Sequence, residues 1–323
     1  MQKFCIEGAL MKYLFLNLKR FDIPPEVGGV NRLAPPREWG GFIVNTLKEG
    51  LEQQPGLKGE FSLAAFFPEA HLIGAVNALF SKESPSFGGG LSKRNELTEG
   101  NLLEVGCQSV HYEDTAPKGN FGAFTSFRPA HAMRQLGCTW TIIGHSEERR
   151  SMLNLMTLAG AKSEAAEHAV SLLLNMQIRA AIRAGLRVLF CIGERYEQVS
   201  ERISVLRRQI EEGLAEVDMS RIVLAYEPIW AIGPGKTPPA ADEIAGIAAD
   251  IKKITNCPLV YGGGLKKDNA ASIGSIPELD GGLIALTRFD GEIGFYPEEF
   301  FEIIDAYREG YKNLTATKEE QRL

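Results

Sequence analysis

Apolar residues along this chain fall into short continuous runs, separated by longer stretches in which they recur every three or four positions. The runs are YLFLNL (13–18), FSLAAFF (61–67), LEVGCQS (103–109), TWTIIG (139–144), RVLFCIG (187–193), IVLAYE (222–227), LVYGG (259–263) and GGLIAL (281–286). A short apolar run without polar alternation is the pattern of a parallel strand covered on both faces. The intervening pattern is helical. After Glu194, the residues Val199, Ile203, Leu206, Ile210, Leu214 and Val217 are spaced by three or four, with Arg and Glu between them. A last helix opens at Pro297-Glu298-Glu299 and carries Phe300, Phe301, Ile303, Ile304 and Tyr307 on its apolar side. Eight strand-then-helix units predict an α/β fold, a closed (β/α)8 barrel rather than a doubly wound sheet.

Such a barrel takes about 250 residues, and this chain has 323. The surplus falls in RFDIPPEVGGVNRLAPP after strand one, in SKESPSFGGGLSKRNELTEGN before strand three, and in the stretch after His145. These are enlarged loops of a single domain. The expected organisation is an extension (1–10) ahead of Met11, a barrel (11–312) and a polar, frayed tail (313–323).

A formal charge of -6 argues against nucleic acid or an anionic membrane as partner. No apolar run approaches the roughly 18 residues of a membrane span, and MQKFCIEGAL is too short and too weakly apolar for a secretory signal. The five cysteines are scattered with no C-x-x-C pair, the pattern of reduced thiols in a cytoplasmic protein. The five histidines are equally scattered, so no metal site is expected.

Active sites of these barrels lie at the C-terminal ends of the strands. Strand one ends Asn17-Leu18-Lys19, strand four Gly144-His145-Ser146-Glu147, strand six Glu227-Pro228, and strand seven Gly262-Gly263-Gly264. A lysine, a histidine and a glutamate therefore converge on one mouth beside a glycine-rich loop. A carboxylate ending a buried strand is costly unless it is paired or used.

These residues stand in motifs. AYEPIWAIGPGKT, IIGHSEERR, CIGE, NLK, GAFTS (122–126) and YGGG follow one another in the order found in the triosephosphate isomerase family, and the chain resembles that family over nearly its whole length. The resemblance implies a TIM barrel and an intramolecular aldose–ketose isomerase that moves a proton through an enediol. Glu227 then matches the base, His145 the group that polarises the carbonyl, and Lys19 the positive charge. Asn17 stands beside that lysine as a hydrogen-bond donor. Glu147 resembles a buried supporting glutamate near the lysine. Pro228, Ile229, Trp230, Ala231, Ile232, Gly235 and Lys236 match a closing lid whose apolar residues are covered when it shuts. Gly233, Gly263 and Gly264 match the loops that bring backbone amides to a phosphate. No cofactor is implied, since proton transfer needs none, and GAFTS implies a homodimer.

The pattern breaks at the anion-holding end. Ala285 and Leu286 occupy the family's glycine pair after strand eight, and Gly264 replaces a serine. Pro234 stands in the lid where a threonine or similar residue is usual, Ser109 replaces an asparagine, and Phe127 replaces a glutamate. Cβ atoms at 285 and 286 limit backbone approach to an anion. Arg288 is the compensating candidate, because a guanidinium grips phosphate bidentately. The expected substrate is a small phosphorylated sugar, with triose phosphate as the default. A longer ketose phosphate such as a tetrulose phosphate is the alternative, and a phosphosugar-binding barrel without catalysis is the reading of another class.

Overall fold

A computed structural model describes residues 11–80, 101–233 and 235–320. The extension 1–10, most of the Gly/Ser-rich segment before strand three, and Pro234 lie outside the described residues. Eight strands close into one parallel barrel in chain order. They are β1 (Lys12–Asn17), β2 (Phe61–Phe67), β3 (Leu103–Gln108), β4 (Trp140–Ile143), β5 (Arg187–Ile192), β6 (Ile222–Tyr226), β7 (Leu259–Tyr261) and β8 (Gly281–Ile284). Each falls within a residue of its apolar run at the N-terminal end and within two at the C-terminal end. Closure is made by β1 against β8, with Tyr13 opposite Gly281 and Leu16 opposite Ile284.

The strand period of two divides the core. Phe15, Phe66, Trp140, Ile142, Leu189, Cys191, Val223, Ala225 and Val260 fill the barrel interior. Their neighbours Leu14, Leu16, Ile143, Val188, Phe190, Leu224 and Tyr226 face the surrounding helices. Aromatic rings plug the middle, with Phe15 edge-on to Trp140 at 5.0 Å and tilted against Phe66 at 5.8 Å. The same parity carries upward. Asn17 lies two residues past Phe15 and Glu227 two past Ala225, so both point inward at the top of the barrel.

Among the described residues the helices are α1 (Trp39–Glu52), α2 (Glu69–Phe80), α3 (Ala130–Gln135), α4 (Ser146–Leu158), α5 (Ser163–Arg183), α6 (Arg202–Gly213), α7 (Ala241–Ile254), α8 (Lys267–Gly274) and α9 (Pro297–Glu320). Helix α7 shows why such segments form. Ile244, Ile247, Ala248 and Ile251 make its buried stripe, Asp242 and Glu243 face the positive end of its dipole, and Lys252 and Lys253 the negative end. Helix α9 buries Phe300, Ile303, Ile304 and Tyr307 as its spacing predicts. It then continues to Glu320, so residues 313–320 extend a helix where a frayed tail was expected. No glycine or proline follows Gly310 to stop it.

Two enlarged loops meet at the top. After β8 the chain folds back on itself, with Thr287 and Arg288 both donating their amides to the Gly294 carbonyl at 3.1 Å. The loop after β1 packs beside it: Arg32 Nη1 donates to the Ile293 carbonyl at 3.3 Å, and its Nε lies 3.6 Å from Glu292. The stretch after His145 is not a loop but the helix pair α4 and α5.

Candidate active site

A cavity of about 720 Å³ opens at the C-terminal end of the barrel. Asn17, Lys19, His145, Glu147 and Glu227 all line it, so the three strand ends do converge.

Glu227 is 3% exposed. Its carboxylate has one hydrogen bond and one close imidazole neighbour. The Ser146 amide reaches Oε2 at 3.0 Å, and His145 Nε2 lies 3.2 Å from Oε1. His145 is the N-cap of α4, as the Ser146-Glu147-Glu148 start predicts, and its Nδ1 accepts the Glu147 amide at 3.3 Å. A nitrogen that accepts carries no proton. The ring hydrogen then sits on Nε2, the nitrogen that faces the Glu227 carboxylate.

Lys19 is held in a left-handed backbone conformation, φ 42°. Asn17 Oδ1 accepts the Lys19 amide at 3.1 Å and Gln108 Nε2 at 3.2 Å, and Gln108 Nε2 also reaches the Lys19 carbonyl at 3.2 Å. A non-glycine residue in this region costs energy and persists only where its surroundings over-determine it. Asn17 thus shapes the Lys19 turn through its oxygen, beyond the donor function expected of it. Lys19 Nζ pairs with Glu147 Oε1 at 3.1 Å. Glu147 is not the buried glutamate expected, since its side chain is 55% exposed. Partial burial pushes its carboxyl up, but the Lys19 ammonium beside it outweighs that and leaves it below the ordinary carboxylate range.

The lid begins at Pro228, and Ile229–Ala231 make one tight helical turn. Trp230 Nε1 donates to Glu194 Oε1 at 2.9 Å, and the Ile229 amide to the Glu194 carbonyl at 3.2 Å. Glu194 is fully buried and also accepts from Arg202 Nε at 2.8 Å and Tyr226 Oη at 3.1 Å. The first half of the lid therefore rests on the loop after β5. Ala231 is buried, and Ile229, Ile232 and Gly233 line the cavity. Gly235 and Lys236 are exposed at the far side, where the Lys236 amide closes a turn onto the Gly233 carbonyl at 3.2 Å.

The anion-holding end differs from expectation in two places. Arg288 is outside the cavity lining. Its guanidinium pairs with Glu299 on α9, Nε to Oε1 at 2.8 Å, and lies 3.9 Å over the Tyr296 ring. Gly263 is outside the lining as well, packed where a Cβ would collide with Tyr261 and Pro228. Gly264 lines the cavity with φ 90°, followed by Leu265 and faced by Ala285, Leu286 and Phe289. This end is apolar where the catalytic end is charged.

Several supporting residues carry no signal of their own in the sequence. Gln108 ties Asn17 to Lys19. Arg149, inside the quoted IIGHSEERR motif, is buried and donates to the carbonyls of Gly144 and Cys191, each at 2.8 Å. Burial brings its guanidinium down to about 10. Glu148 accepts the Gly144 amide at 2.7 Å and the Ser109 hydroxyl, which fixes the turn that presents His145. Among the described residues, no group of three or more His, Cys, Asp or Glu is arranged to hold a metal ion, and no helix is long and apolar enough to cross a membrane.

Comparison with known proteins gives the same family by two routes. A family model described as triosephosphate isomerase matches residues 90–307. The triosephosphate isomerase of Chlorobium phaeobacteroides (strain BS1) is 32% identical over 228 residues, 67% of this chain and 80% of that protein. That of Synechococcus sp. (strain RCC307) is 34% identical over 217 residues, 66% of this chain and 75% of that protein. The crystal structure of triosephosphate isomerase from Bartonella henselae is similar in fold, with a TM-score of 0.59, covering 93% of this chain and 100% of that one at 22% identity.

Proposed function

Because this chain belongs to the triosephosphate isomerase family, and so to the isomerases, we propose that it interconverts a small phosphorylated ketose and aldose through an enediol. Triose phosphate, the pair glyceraldehyde 3-phosphate and dihydroxyacetone phosphate, is the substrate this reading starts from. The observation that carries it is a buried carboxylate with the Nε2 of an imidazole 3.2 Å away, at a cavity wall shared with Lys19.

Each group has one task. Glu227 takes a proton from the carbon beside the carbonyl and returns it to the neighbouring carbon. Its oxygens are shielded from water, so little solvent has to be removed when substrate arrives. His145 donates its Nε2 proton as a hydrogen bond to the carbonyl oxygen. A neutral donor suits this task, since it stabilises the developing negative charge. Lys19 adds a positive charge in the same cavity. Glu147 holds the Lys19 ammonium while Asn17 and Gln108 hold its backbone. The lid, released from Glu194, covers the cavity with Ile229 and Ile232 and keeps water from an enediol phosphate that would otherwise lose its phosphate.

A second reading has specific support. Ala285, Leu286 and Phe289 replace a glycine-lined anion pocket, and the cavity is roomy for three carbons. Both features favour a longer ketose phosphate such as a tetrulose phosphate. Isomerase assays on triose and tetrulose phosphates separate the two. A clear preference for triose phosphate removes the second reading, and the absence of turnover on every phosphosugar favours a binding barrel instead. A homodimer fits the loop after β3, where Phe121 is 92% and Phe127 54% exposed. Light scattering in solution tests it, and a monomer at all concentrations refutes it. The cytoplasm is the compartment the buried, unpaired thiols suit best.

A further inference from the structure

The cavity is longer than the catalytic residues need. Beyond Ser146 and Glu147 it follows one face of α4 through Arg150, Leu153, Asn154 and Thr157, spaced by three or four. The rise from Ser146 to Thr157 is about 16 Å. Ala166, Glu167 and Val170 of α5 form the other side. A triose phosphate spans six bonds from its terminal oxygen to a phosphate oxygen, about 7 Å in an extended chain. The far half of this groove is also cationic. Arg150 lines it with Arg195, from the loop after β5, and Arg208, from α6. Glu167 sits between the last two. Its Oε1 accepts from Arg195 Nη2 at 2.8 Å and from Gln198 Nε2 at 3.1 Å, and its Oε2 pairs with Arg208. Arg195 is spent, since its Nε also pairs with Glu197 at 2.6 Å. Arg208 gives Glu167 one N–H group, and among the described residues the rest of its guanidinium has no other partner. Arg150 is exposed to the groove and makes no ion pair among the described residues.

On the reading that this chain isomerises a phosphorylated sugar, we propose that Arg150 and Arg208 hold the substrate's phosphate in the groove between α4 and α5. The substrate is then a pentulose 5-phosphate or a longer ketose phosphate, with the phosphate at the end remote from the carbonyl. Charge sets this orientation. A phosphate leaving water needs cationic donors, and the lining offers them on α4 and α6 rather than beside Leu265, Leu286 and Phe289. Glu167 is saturated by its three donors, so it fixes Arg208 in place without cancelling Arg150. Length agrees with charge. Ser146 donates to Glu227, and Arg150 lies about 6 Å further along the helix axis. Five bonds separate the carbonyl carbon from phosphorus in a pentulose 5-phosphate, about 6 Å, against three bonds and about 4 Å in a triose phosphate. Asn154, one turn beyond Arg150 on the same face, adds an amide donor. The proton transfer at Glu227 is unchanged, and the phosphate takes no part in it.

Two readouts separate the site from the reaction. Calorimetry with a pentitol 5-phosphate, which carries the anion and no carbonyl, reads binding alone. Coupled assays on triose phosphate and on pentulose 5-phosphates read turnover. The unmodified protein should bind the pentitol 5-phosphate and show the higher kcat/KM with a pentulose. Arg150→Met and Arg208→Met should each weaken binding by about 10- to 100-fold and raise KM in step, with kcat changed far less. Arg150 makes no ion pair, so its loss leaves the fold intact, and Arg150→Lys should recover part of the affinity. Arg207→Met, a control exposed on α6 and paired with Glu211 at 3.5 Å, should lose none. Unchanged affinity in both Arg150→Met and Arg208→Met overturns the assignment. A preference for triose phosphate over every pentulose 5-phosphate does so too, and either result leaves the isomerase reading standing. Binding that depends on Arg150, with no turnover of any phosphosugar, supports the anion site and removes the isomerase reading instead.

Discussion

Replacing Glu227 by glutamine separates the chemistry of this residue from its structural contribution. The two side chains have the same shape, so packing is preserved and only the charge and one lone-pair set are lost. Positioned general bases contribute about 10² to 10⁴ in rate, or roughly 3 to 5 kcal/mol. The surroundings place Glu227→Gln near the upper limit, because no other carboxylate is free to substitute. Glu147 is held by Lys19, Glu148 by Ser109 and the Gly144 amide, and Glu194 by Trp230 and Arg202. Stability should move the other way or not at all. The amide can accept from the Ser146 N–H or from His145 Nε2–H, not both, which costs about 0.5–1.5 kcal/mol. Against this, a side chain that is 3% exposed no longer buries a charge. The two effects nearly cancel, so the melting temperature should shift by roughly 3 °C or less. Proton NMR in heavy water reads the deuterium uptake beside the carbonyl, and a coupled assay reads isomerisation. Both should fall together by about 10³ to 10⁴. A loss below about tenfold in both would refute Glu227 as the base. Loss of exchange with isomerisation intact would refute the enediol route itself.

Trp230→Phe removes one of the three donors on Glu194 Oε1, worth about 1 kcal/mol, and should bias the lid about fivefold toward closure. Tighter binding of a phosphorylated enediolate mimic checks this, and weaker binding contradicts it. Gly193→Ala puts a Cβ inside van der Waals contact with the Glu227 carbonyl, so this substitution should displace the base and lower kcat without altering distant packing. Normal kcat with a normal fold would show that the backbone there yields. Burial pushes the Asp22 carboxyl up, yet hydrogen bonds from Arg20 and the His71 ring 3.0 Å away hold it below the usual 3.8. Its folded value is depressed, so its contribution is complete above pH 3.8 and is lost as pH falls further. The melting-temperature gap between the unmodified protein and Asp22→Asn should be constant near neutrality and close in acid. A gap that persists at low pH counts against the pair.

Eight strands were visible in the sequence because each apolar run has one meaning once eight of them alternate with helical spacing. The period of two then carried Asn17 and Glu227 to the inner rim, and the helix start after His145 predicted its capping position. These features depend on local pattern. Arg288 failed as a phosphate candidate for a non-local reason, since its partner Glu299 lies on another element and claims the guanidinium first. Residues 313–320 are polar, as frayed ends are, yet Thr, Ala, Lys and Glu continue a helix that no glycine or proline interrupts. Gln108 acts on the carbonyls of Lys19 and Phe66 and Arg149 on that of Cys191, all distant in sequence, so no spacing announces them.

The contact of Arg32 with Ile293 joins two insertions that are 261 residues apart in the chain. They touch because the barrel closes β1 onto β8. Each insertion therefore supplies part of the other's surroundings, and the two stand as a single structural unit despite their two addresses. A homologue that shortens one should shorten both. An engineer who transplants the eighth loop onto a compact barrel should expect it to collapse unless the first loop travels with it.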